Sequence, residues 1–149
     1  MTRTCSLLAA LIASICFTSP ARADAEDLAQ RCIQAIHETM HIAVDRIHHR
    51  TAMGVRHIEH LDANGASDDE LRESAARSIR SINATARAAT ARISRLAHHC
   101  IQELRDMDAP PPLIAAVRNA AEEANQRVET AAQHGRRAIL EALDEALNN

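Results

Sequence analysis

The segment NGASDDE at residues 64–70 decides the fold of this chain of 149 residues. Gly65 is typical of a helix C terminus, and Ser67 with a glutamate three residues later forms the pattern of a capping box at the next helix. The segment lies midway between Cys32 and Cys100. Antiparallel helices rise at the same rate, so residues equidistant from a turn lie at the same height. The sequence therefore predicts a helical hairpin closed by a Cys32–Cys100 disulfide.

Three long helices are expected, separated by two turn segments. The first two should span about 25–63 and 67–107. The segment DAPPP at residues 108–112 should stop the second helix, because proline cannot continue it, and a third helix should follow at about 113–147. No segment alternates apolar and polar residues with period two, so no strand is expected.

The three predicted helices share an apolar repeat of eleven residues. The series are Ile33, Val44 and Val55; Ile36, Ile47 and Ile58; Leu71, Ile82, Ile93 and Leu104; and Val117, Val128 and Ile139. Such a repeat corresponds to about 3.67 residues per turn, which favours straight or slightly right-handed packing. The predicted fold class is all-α, an antiparallel disulfide-stapled hairpin plus a third long helix. Together they form a three-helix bundle with hendecad-type, coiled-coil-like packing.

The first 23 residues have the pattern of a secretory signal peptide. Arg3 precedes a short apolar run, and Ala21-Arg22-Ala23 matches a cleavage site. The run is too short to span a bilayer and the remainder is too polar, so no transmembrane segment is expected. We expect residues 24–149 to form a single domain in the periplasm or outside the cell, where disulfides persist.

Composition excludes several classes of partner. No aromatic residue follows Phe17, so neither base stacking nor aromatic ligand cages are available. The net charge of −3 further argues against nucleic acid. The helices lack the wide bulky apolar face and flanking lysines of membrane-surface helices, so binding to a membrane surface is not expected. The expected partner is a second copy of the chain or another exported protein.

The sequence His37-Glu38-Thr39-Met40-His41 matches the H-E-x-x-H helix of zinc proteases. That chemistry needs a third metal ligand, and the sequence fixes none. The related E-x-x-H motif of di-iron bundles needs carboxylates from every helix, and the second helix has none between Glu73 and Glu103. We interpret the match as fortuitous and predict that the protein is not an enzyme and has no cofactor.

A metal-binding protein is the alternative prediction. If the third helix runs parallel to the first, several histidines and carboxylates should lie near the disulfide, and His134 should lie near His48. Such ligands suit zinc, nickel or copper. The candidate ligands are His37, His41, Glu122, Glu123, His98 and His99. Met40 and Met53 are expected to fill the core.

The middle of the second helix is basic through Arg77, Arg80, Arg87, Arg92 and Arg95. The third helix is rich in Glu, so partial neutralisation by neighbouring helices is one explanation. A basic stripe for an anionic partner is the second, and a solvated face with exposed ion pairs is the third and the one we favour. No motif indicates a known family. The leading prediction is an exported non-enzymatic protein that acts through protein–protein interaction or self-association, including a structural or chaperone-like role.

Overall fold

The computed structural model describes residues 20–148, which form three helices. These are α1 (Pro20–Ala63), α2 (Asp68–Asp106) and α3 (Pro111–Leu147), and each packs against the other two. No strand occurs among the described residues. The predicted all-α class and three-helix architecture are therefore confirmed. At 1.5 Å per residue, the 39 residues of α2 give a bundle about 58 Å long.

Two helices begin earlier than the sequence predicts. Helix α1 is described from Pro20, five residues before its predicted start. Helix α3 begins at Pro111 rather than near residue 113, so two prolines lie in its first turn. The missing N–H of proline is not needed there. Residues 1–19 of the predicted signal peptide lie outside the described residues.

The turn between α1 and α2 combines two capping motifs. Gly65 has a φ of 70°, and its N–H donates to Asp62 while the Ala66 N–H donates to Leu61. This is a Schellman motif, which satisfies the last carbonyls of α1. Ser67 then caps α2 in the predicted capping box with its glutamate. Both hydrogen bonds from Ser67 lower the pKa of the Glu70 carboxyl.

Helix α2 ends in the same motif without a glycine. The N–H of Asp108 donates to Arg105 and that of Ala109 to Leu104. Asp108 has a φ of 51°, which an L-residue other than glycine adopts at a steric cost. The buried Ala109 methyl packs in the core. The connection to α3 is thus a short, defined turn.

The core follows the eleven-residue repeat. The nine largest fully buried side chains are Ile36, Ile47 and Ile58 on α1, Ile82, Ile93 and Leu104 on α2, and Val117, Val128 and Ile139 on α3. Within each helix they are spaced by eleven. The second α1 series, beginning at Ile33, is partly buried and packs against this core. Alanines fill most remaining inward positions.

Two glycines let the helices approach each other closely near the middle of the bundle. A methyl group at Gly54 would lie 2.6 Å from Ile139 Cδ1 and 2.9 Å from Ser78 Cβ. A methyl group at Gly135 would overlap the Thr51 hydroxyl. Both contacts lie at the level of residues 51–54 of α1. The bundle is therefore narrow there, and neither position has room for alanine without movement of a neighbour.

The predicted register and disulfide are confirmed. Cys32 and Cys100 are bonded, with their Cα atoms 6.2 Å apart. Arg50 on α1 hydrogen-bonds Ser81 on α2, and the two residues are nearly equidistant from the turn, as the predicted register requires. Gly135 lies beside Thr51 and Ile47, and four residues later Ile139 lies beside Gly54, so α3 runs parallel to α1. Across the described part of the chain, no helix carries an apolar stretch sufficient to cross a membrane.

Candidate functional site

A groove runs along the outer seam between α1 and α2, and we call it the α1–α2 groove. It consists of three adjoining cavities, the central one of about 400 Å³. The central cavity shares Ile42 with one neighbour and Arg50 with the other. The three extend from the level of residue 35 to that of residue 57, about 33 Å along the helix axis.

Small side chains make up much of the wall of the central cavity. They are Ala43, Ser81, Ala84, Thr85, Ala88 and Ala89. Short side chains on both helices leave the depression open because they cannot fill the space between two helix surfaces. Another helix could therefore approach the seam closely, as helices do where their contacts are small.

Four arginines line the α1–α2 groove: Arg46, Arg50, Arg92 and Arg95. Within residues 20–148, none has a carboxylate oxygen within 4.0 Å. Glu38 is the one carboxylate residue among those lining the three cavities in this part of the chain. The groove is therefore basic although the chain as a whole is acidic.

Neutralisation between helices does not explain these arginines. Where arginines outside the groove form ion pairs, the partner lies on the same helix, as in Arg77–Glu73 at 2.9 Å and Arg127–Glu123 at 2.7 Å. Among the described residues, Arg80, Arg87 and Arg105 also form no ion pair, although they do not line the groove. Arg136 reaches across to another helix, but it does so to the Asn83 amide. The expectation that α3 carboxylates neutralise the α2 arginines is therefore wrong for Arg92 and Arg95.

Two large apolar side chains on this face are exposed. Ile42 is 45% exposed and Met53 is 51% exposed, and they are eleven residues apart on α1. Met40 is 3% exposed and fills the core as predicted, whereas the prediction that Met53 does so is wrong. The Met53 sulfur instead accepts a hydrogen bond from Arg56. The rim of the α1–α2 groove thus combines apolar and cationic groups.

The predicted metal ligands are divided between two sides of α1. His37, His41 and Glu123 line one small cavity of about 70 Å³ between α1 and α3. Glu123 is already paired with Arg127 there. His48 and His134 line the adjoining cavity, as the parallel register predicts.

The other candidate ligands lie elsewhere. His99 lines the α1–α2 groove, and its Nε2 atom lies 3.4 Å from Oε1 of Glu103. His98 and Glu122 are exposed. The cysteine register fixes the height of His98 and His99 near His37, but it does not fix the rotation of α2. Over residues 20–148, no group of three or more His, Cys, Asp or Glu residues is arranged to hold a metal ion.

Comparisons with protein-family models, with curated proteins and with solved structures found no match for this chain. Function must therefore be inferred from the geometry. The sequence pointed to the arginines of α2 but missed Arg46 and Arg50 on α1. The signal that identifies them is their spacing of four residues at one edge of the isoleucine series, about 100° and about 60° from Ile47 around the helix.

Proposed function

We propose that this protein is an exported, non-enzymatic helical bundle that acts by binding another protein or a second copy of itself through the α1–α2 groove. The observation that carries the proposal is an open groove whose rim combines exposed Ile42 and Met53 with arginines that have no ion-pair partner among residues 20–148. Methionine and arginine are both enriched in protein–protein interfaces relative to the rest of a protein surface.

Export is supported by two independent features. The signal-peptide pattern of residues 1–23 directs secretion, and the Cys32–Cys100 disulfide is suited to an oxidising compartment.

A bundle with a small Ala-rich core also gains stability when a partner binds its folded state.

Site-specific photo-crosslinking tests the interaction surface. A photoreactive amino acid is placed at Met53 and, in a matched control, at Leu140, because both side chains are 51% exposed. Leu140 does not line the α1–α2 groove. We expect irradiation of cells that produce the full chain, and of the concentrated purified protein, to give adducts at position 53 in at least one setting.

The control decides the interpretation. Adducts at position 53 that are several times more abundant than those at position 140 support the groove as the interaction surface. Equal yields at the two positions, or adducts at neither, overturn the proposal. Sedimentation velocity of the purified protein then separates self-association from binding to a different protein.

A second candidate function is binding of a transition metal in the α1–α3 cavity. It is supported by the placement of His37, His41 and Glu123 around one cavity, although over residues 20–148 these side chains are not arranged as a metal site and would have to reorient to bind one. Two imidazoles one turn apart and a carboxylate suit zinc, nickel or copper, once Glu123 releases Arg127. Isothermal calorimetry with each metal tests it.

The matched control for calorimetry is a second histidine pair on the same helix. We expect His37→Ala/His41→Ala to abolish binding, and His57→Ala/His60→Ala to leave it unchanged. Binding should weaken on acidification, because protons compete with the metal for histidine nitrogens. No heat at neutral pH, or equal loss in both double variants, excludes this site.

A further inference from the structure

The α1–α2 groove has the dimensions of a helix-binding site. Its length of about 33 Å matches a helix of about 22 residues. Its alanine-rich wall permits close approach of a helix axis, and the two flanking helices supply the geometry that a fourth helix occupies in a four-helix bundle. Exposed Ile42 and Met53 would contact the apolar face of that helix.

The charge of the groove selects the chemistry of the partner. Arg46 lies on the α1 side and Arg92 and Arg95 on the α2 side, so a helix in the groove would have guanidinium groups along both flanks. Arg50 also comes from α1, but its guanidinium reaches across the seam to hydrogen-bond Ser81 on α2. Charge-assisted hydrogen bonds to carboxylates are the strongest that these groups can form. An extended anionic polysaccharide would pair with the arginines but would leave Ile42 and Met53 without an apolar contact.

We infer that the α1–α2 groove binds an acidic amphipathic α-helix of a partner protein, with its apolar face on Ile42, Met53 and the alanine wall and its carboxylates on the flanking arginines. This inference rests on the proposed function and specifies the partner. Electrostatic pairing at the flanks accelerates association and makes the affinity fall with rising salt.

Selection from a displayed library of random peptides, each about 20 residues long, identifies the preferred ligand chemistry. The purified full chain is the target, and Arg46→Glu/Arg92→Glu is used for counter-selection. We expect enriched sequences to carry apolar residues at helical spacing with Asp or Glu on the flanks. Enrichment of basic or neutral sequences, or no enrichment, overturns the inference.

Affinity of the most enriched peptide is then measured by fluorescence anisotropy on matched variants. Arg46→Glu/Arg92→Glu and the control Arg118→Glu/Arg137→Glu, whose arginines are exposed and lie on α3 outside the groove, change the net charge equally. We expect the groove variant to weaken binding at least about tenfold and the control to change it less than about threefold. Equal weakening by both double variants would overturn the inference, because it indicates non-specific attraction.

Replacement of Ile42 distinguishes a helical peptide from an anionic polysaccharide as the preferred ligand. We expect Ile42→Ser to weaken peptide binding about tenfold, while a heparin fragment used as the polysaccharide probe binds more weakly than the peptide. Tighter binding of heparin that Ile42→Ser leaves unchanged overturns the helix and favours the polysaccharide. Crosslinking at Met53 without enrichment of acidic helices would leave the proposed function standing and reject only this inference.

Discussion

Removal of the Cys32–Cys100 bond should take away a large share of the stability of this bundle. The bonded residues are separated by 68 positions. For a loop of that length, the chain-entropy relation gives about 4 kcal/mol of stabilisation through the unfolded state. A typical domain has a free energy of unfolding of about 5–15 kcal/mol. For a domain of this size, a loss of about 4 kcal/mol lowers the Tm by roughly 15 °C.

Two perturbations distinguish the stabilisation that comes from the entropy of the unfolded chain from the stabilisation that comes from packing of the sulfur atoms. Reduction of the wild-type protein removes only the covalent link. Cys32→Ala/Cys100→Ala removes the link and two buried sulfur atoms, so it should lose about 1 kcal/mol more for each residue. The urea dependence of unfolding should also steepen in both, since an open unfolded chain exposes more surface.

Far-UV circular dichroism is the suitable probe, because no aromatic residue follows Phe17. Urea titrations of the oxidised protein, the reduced protein and the double variant give the three free energies of unfolding. Alkylation in denaturant without reductant shows whether Cys32 and Cys100 are bonded, because both are buried in the folded protein. A difference below about 1 kcal/mol between oxidised and reduced protein would refute the loop-entropy reasoning.

Three further substitutions have defined outcomes, each measurable by urea or thermal denaturation. Asp108→Gly should raise the free energy of unfolding by about 1 kcal/mol because the residue has a positive φ, whereas Asp108→Ala should give no such gain. Ser74→Ala should raise it by about 1 kcal/mol, since the Ser74 hydroxyl is buried and has no hydrogen-bond partner among residues 20–148; a loss of stability would contradict this. The folded state lowers the pKa of Glu70 from its ordinary value of 4.5, so its contribution is present above that value and is lost as pH falls through the folded-state pKa. Acidification from about pH 6 to about pH 3 should therefore lower the Tm of the wild type more than that of Glu70→Gln, and equal losses would show that the capping box is not the cause.

The fold was predictable because its signals are local and mutually consistent. The glycine and the capping box fix the turn, the turn fixes the register, and the cysteines agree with that register. The eleven-residue series identified all nine of the large, fully buried side chains. The second turn, which contains prolines, was harder to place, because Pro111 and Pro112 can either follow a helix or begin one.

Helix rotation explains the error at Met53. Met40 lies seven residues before Ile47, which places it within about 20° of that core residue on a helix. Met53 lies six residues after Ile47, about 120° away from it. Projection of each methionine onto the isoleucine series would have placed one in the core and the other at the surface.

The candidate site depends on features that one helix cannot reveal. The groove arises where short side chains of α1 and α2 face each other, and its charge combines arginines from both helices. Likewise, register gives the height of His99 relative to His37 but not the side of α1 on which it lies. His99 lines the α1–α2 groove, whereas His37 lines a cavity beside α3.

The disulfide also limits how two copies of this chain can exchange segments. Helices α1 and α2 are joined by a turn at one end and by the Cys32–Cys100 bond near the other, so they form a covalently closed ring. Neither can leave its own partner for the matching position in a neighbour unless that bond opens. Helix α3 is joined to the ring through the short segment that follows α2. While the disulfide is intact, any domain-swapped dimer must therefore arise by exchange of α3, and reduction would open the route for the other two helices.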